Sequence, residues 1–112
     1  MATPDNVAVA EVTVRRIVGV PFPATTATRL ITSQGILLVG YAVEESTGAA
    51  TARVEIINGS DENGISTIPV TLAIGGSVRE YIPWPYIPLD GGIFIDVTAG
   101  SVAGTFFIGI PD

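Results

Sequence analysis

Apolar and polar positions along this chain alternate mostly with a period of two, and no window of helical length repeats at 3.6. The fullest pattern lies in residues 35–59, GILLVGYAVEESTGAATARVEIING. Its first run, 36–43, is apolar at almost every position, as suits a strand covered on both faces. Its second run, 51–57, alternates. Ala52, Val54 and Ile56 fall on one side, and Thr51, Arg53 and Glu55 on the other. With the polar turn 44–50 between them, the two runs predict an antiparallel hairpin.

Residues 7–18 form a strand candidate. Val7 and Val9 lie on one parity and Val12, Val14 and Val18 on the other, which a bulge near Glu11 would reconcile. Gly19 is read as its end. In 20–28, Pro21 and Pro23 flank Phe22 and exclude a central strand. A short strand, 29–32, is followed by a turn at 33–35. Beyond the hairpin, NGSDENG at 58–64 is a polar loop. Residues 65–74 place Ile68, Val70, Leu72 and Ile74 on one face, with Pro69 marking an edge or a bulge. Gly75-Gly76 turns into a short strand, 77–82, and the loop 83–88 carries the single tryptophan, Trp84, among Pro83, Pro85 and Pro88. After a turn at 90–92, Ile93, Ile95 and Val97 point inward and Phe94 the other way. A last strand, 102–110, aligns Val102, Phe106, Ile108 and Ile110.

About eight short strands with turn signals throughout predict an all-β fold, an antiparallel β-sandwich of jelly-roll type; a small closed barrel is the competitor. The organisation expected is a flexible N-terminal arm, 1–8, and a single β-sandwich domain, 9–112.

Composition narrows the function. At 112 residues the chain is the size of one domain. It has no cysteine, histidine or lysine, and its positive side chains are five arginines. Charged residues make up 14% of the chain, against roughly 25% in an average soluble protein. The surface is therefore rich in Thr, Ser, Gly and Ala, or much of it is buried against copies of itself or a partner. The net charge of −6 argues against a nucleic-acid partner. No run approaches the ~20 apolar residues of a membrane helix, and the N-terminus lacks the pattern of a signal peptide, so a soluble protein made in a cytoplasm is expected.

Catalysis lacks obvious parts. A serine or threonine nucleophile would have no histidine or lysine base. Glu44 and Glu45 are adjacent and face opposite ways on a strand, so they cannot flank one glycosidic bond. Glu11, Glu55, Glu80 and Asp96 are scattered, with solvated faces or Arg–Glu cross-strand partners as their default. The Asp61-Glu62-Asn63-Gly64 loop offers clustered oxygens without the ordered ligand series of a calcium loop; an Asx-Gly turn is its plain reading. Arg15-Arg16 is too small for a nucleic-acid patch. No catalytic residue, metal or cofactor is expected. The candidates left are interface residues: Tyr81, Trp84 and Tyr86 around a proline-stiffened loop, where they could anchor a partner or stack on a sugar, together with Phe22, Val7 and Val9.

The run at 35–59, then Pro69-Val70-Thr71-Leu72, Gly91-Gly92-Ile93-Phe94-Ile95-Asp96-Val97 and Gly100-Ser101-Val102-Ala103-Gly104-Thr105-Phe106, resembles small all-β virion proteins of tailed bacteriophages. Head decoration, or cement, proteins look closest. The likeness spans about residues 30–110 and rests on hydrophobic spacing, turn glycines and the Glu-Ser-Thr-Gly-Ala turn. It implies a homotrimer on the outer capsid surface that clamps the major capsid protein lattice. A tail or fibre module that binds carbohydrate or a receptor is the alternative.

Overall fold

A computed structural model describes residues 14–83 and 86–111, with side chains at 16–83 and 86–109. These residues form nine strands and no helix: β1 Val14–Thr25, β2 Thr28–Thr32, β3 Ile36–Glu45, β4 Ala52–Asn58, β5 Ile65–Leu72, β6 Ser77–Tyr81, β7 Ile87–Leu89, β8 Ile93–Ala99 and β9 Val102–Pro111. One antiparallel sheet, sheet A, runs β1-β9-β3-β6 with β7 also on β3; the other, sheet B, runs β2-β8-β4-β5. With β7 set aside, the first strand pairs with the last, the second with the next to last, and so inward to β4 with β5. A long double strand rolled over on itself gives this order, which is the jelly roll.

The hairpin expected between 36–43 and 51–57 does not form. β3 lies in sheet A and β4 in sheet B, so residues 46–51 cross between sheets. Both edges of β3 are taken, one by β9 and the other by β6 and β7. β4 is likewise flanked by β5 and β8. Turn chemistry marks where the chain bends but not which sheet it enters. Gly19 does not end the first strand either. β1 continues through Pro21 and Pro23 to Thr25, tolerated because β1 is a sheet edge and needs no outward N–H there. Pro69 likewise sits on an edge, β5, next to a register shift.

Alternation builds the core. Ala52, Val54 and Ile56 from β4, Val70 and Leu72 from β5, and Ile93, Ile95 and Val97 from β8 line the inner face of sheet B. They meet Phe22, Leu38, Tyr41, Val43, Val102, Phe106 and Ile108 of sheet A. Phe106 is fully buried, stacked on Phe22 with centroids 5.4 Å apart and tilted against Tyr41 at 6.5 Å. Burial, and after it the neighbouring Glu80, raise the Tyr41 phenol above its usual pKa. Ile74, placed on the inner face by alternation, is exposed because β5 stops at Leu72.

Candidate interaction surface

The register of sheet A fixes what its outer face carries. One row runs Ile17–Gly109–Leu37–Pro88, the next Gly19–Phe107–Gly40–Tyr81. Neither row holds a charge. Ile17 is 56% exposed and Tyr81 70%, the two large side chains that flank the rows at opposite edges. The following row, Pro21–Thr105–Ala42–Arg79, brings the first charge. There a shallow depression of about 300 Å³ opens between β3, β6 and β9, bordered by Glu44, Ser77, Arg79 and Thr105.

β6 and β7 are two pieces of one edge strand. β6 pairs with Gly40 to Glu44 of β3, and β7 with Ile36 to Leu38. Just past β6, the Ile82 N–H donates to the Val39 carbonyl at 2.8 Å. The Tyr86 N–H donates to the Pro83 carbonyl at 2.9 Å, and Tyr86 takes φ 69°, the left-handed region that a bulky residue rarely enters. β7 was not read from sequence, since three residues with a central proline carry too little pattern.

Of the interface candidates, Tyr81 stands on the outer face of sheet A and Tyr86 is half-buried just before β7. Trp84, Val7 and Val9 lie outside the described residues, as does the proposed arm. Phe22 is corrected: its side chain is in the core, 5% exposed, and is not presented to a partner. Proline neighbours suggested a loop, whereas strand parity turns Phe22 inward onto Phe106. Ile17, Leu37 and Phe107 were missed as surface apolar residues. Phe107 was legible, because alternation that buries Phe106 must turn its neighbour outward.

The carboxylates sort by environment. Glu44 is exposed and Glu45 buried, on opposite faces of β3. Glu45 Oε2 accepts the Thr47 hydroxyl at 2.5 Å and its N–H at 2.8 Å; Oε1 accepts the N–H groups of Gly48 and Gly75 at 2.7 and 3.0 Å. These bonds, the Thr47 hydroxyl first, hold its pKa down at about 2 against an opposing contribution from burial. Glu55 and Asp96 are direct cross-strand partners on the outer face of sheet B, which no spacing in the sequence foretold. Glu55 is engaged by Arg53 at 3.4 Å and by the Ser66 hydroxyl at 2.8 Å. Asp61 Oδ1 accepts the Asn63 N–H at 2.9 Å, so the 58–64 loop closes as an Asx turn. Among the described residues, no three Asp or Glu side chains gather in a metal-binding group, and no helix is long and apolar enough to cross a membrane.

Compared with protein-family models, with curated proteins and with solved structures, the chain matches none.

Proposed function

We propose that this chain is a structural virion protein that decorates the outer capsid, associates with copies of itself, as a homotrimer, and grips the major capsid protein lattice. The observation that carries this reading is the pair of uncharged rows on the outer face of sheet A. Ile17, Leu37, Phe107, Tyr81 and Pro88 form a continuous apolar surface on a rigid sheet, in a chain whose net charge is −6. Contiguous exposed apolar surface is costly unless covered, and charge-poor patches are what protein interfaces place at their centre. Many copies on one particle would multiply a modest contact by avidity. The sequence resemblance to phage decoration proteins supports the same reading. Co-sedimentation with expanded capsids of the encoding phage tests it. Saturable binding that is lost in an Ile17→Lys/Tyr81→Lys double variant supports it, and no binding to capsids removes it.

A tail or fibre module that binds carbohydrate is the second reading. It is favoured by Tyr81, two residues along β6 from Arg79, next to the depression bordered by Glu44, Ser77 and Thr105. An exposed ring beside hydrogen-bonding groups suits a sugar. Glycan-array binding abolished by Tyr81→Ala, with no affinity for capsids, would favour it over decoration.

A further inference from the structure

The four sheet edges are not equally protected among the described residues. β2 is five residues long, β5 carries Pro69, and the edge beside β3 is made of two short strands, β6 of five residues and β7 of three. Such devices keep edges from pairing with other chains. β1 is twelve residues long, with prolines only at 21 and 23. Its first half is open.

The prolines also reveal which backbone groups face outward. The register of β1 with β9 is unbroken from Arg16 to Phe22. Within it Pro21 lies opposite Thr105 and has no N–H to give, so this is a non-hydrogen-bonded pair. Ile17 and Gly19 share its parity. Their N–H and C=O groups therefore also point away from β9, toward the free edge. In the same set, the Pro23 carbonyl is already taken by the Thr25 hydroxyl at 2.8 Å.

We propose that two copies of this chain join through β1, antiparallel, about a two-fold axis at Val18. In that register Ile17 faces Gly19 of the second copy and Gly19 faces its Ile17. Each pair exchanges two N–H···O=C bonds, four across the axis. The next outward position would set Pro21 against Arg15, where one partner lacks the donor, so the ladder limits itself. Side chains agree with the backbone. Ile17 is more than half exposed, and directly across from it the second copy offers a glycine. A Cβ on Gly19 would sit 3.3 Å from Thr105 Cγ2 and 3.7 Å from the Phe107 ring; the bare position leaves that ring edge open to the incoming Ile17. Knob and hole lie on the same strand, which makes the surface self-complementary, as a two-fold contact requires. Charge permits a second copy: the only charged side chains of residues 14–25 are Arg15 and Arg16, and this register sets them opposite Pro21 and Val20 of the second copy, not opposite each other. The contact is two-fold, stands beside the three-fold association proposed above and does not depend on the capsid reading.

Sedimentation equilibrium of the full chain tests this with two variants. Ile17→Pro removes one outward donor from each copy and leaves the β1–β9 ladder intact, as Pro21 does; it should weaken the dimer roughly 10- to 100-fold with unchanged circular dichroism. Val18→Cys places the only thiols of the pair opposite one another at a Cα separation of about 4.5 Å, and mild oxidation should give a disulfide-linked dimer. Ser33→Cys, in the β2–β3 turn, should not cross-link. If Ile17→Pro fails to fold, the cross-link alone decides. A wild-type chain that stays monomeric overturns the proposal. A dimer that survives Ile17→Pro and is not captured by the Val18→Cys thiol overturns it as well.

Discussion

The carboxylate of Glu45, at the end of β3, accepts the backbone N–H of Gly75 in the β5–β6 turn at 3.0 Å, thirty residues further along the chain. The same group holds Thr47 and Gly48 at the start of the crossing to sheet B. One side chain thus fastens two connections that pass between the sheets at one end of the sandwich.

Glu45 therefore makes stability depend on pH. Its folded pKa, about 2, lies below the ordinary 4.5, so the unfolded chain takes up the proton first. The stabilisation is fully present above pH 4.5 and is lost as pH falls toward 2. Glu45→Gln should lower the thermal midpoint at neutral pH, and its deficit relative to the native chain should shrink steadily on acidification through that window. A deficit independent of pH would refute the role.

Phe22 belongs to the core, and its removal should act on folding. Phe22→Ala deletes the ring stacked on Phe106 and should cost roughly 3–5 kcal/mol in denaturant unfolding, the usual range for a buried aromatic. A change under about 1 kcal/mol would mean that the ring packs elsewhere.

Tyr86 at φ 69° should reverse the normal order of small residues. Elsewhere in a strand or loop, alanine is favoured over glycine in the folded chain by roughly 0.5–1 kcal/mol. Here the left-handed backbone penalises any Cβ by about 1–2 kcal/mol. Comparing Tyr86→Gly with Tyr86→Ala cancels the lost ring, and the glycine variant should melt higher.

Much of this fold could be read from residue pattern because burial acts locally on a strand. The alternation of Ala52, Val54 and Ile56 and the inward set Ile93, Ile95 and Val97 follow from a period of two, and the edge placement of Pro69 from its missing N–H. Pairing is not local. Nothing in 44–50 tells the chain that Val43 will face Gly104 across β9 and that Val54 will face Val70 and Val97 in the other sheet. Hence a sheet crossing looks like a hairpin. The outer face of sheet A was hidden for the same reason. Ile17, Phe107, Gly40 and Tyr81 come from four strands and form a surface only once register is set. Phe22 misled because its flanking prolines report only missing backbone donors, whereas its parity on β1 decides its burial.

The central claim is that this protein works by laying the outer face of sheet A against other protein. Electron microscopy of capsids saturated with the chain tests it most directly. The account predicts density for the sandwich on the outer shell, with Ile17, Leu37, Phe107 and Tyr81 packed on a neighbouring subunit. Particles in which the chain is bound with those four side chains open to solvent, or not bound at all, would contradict it.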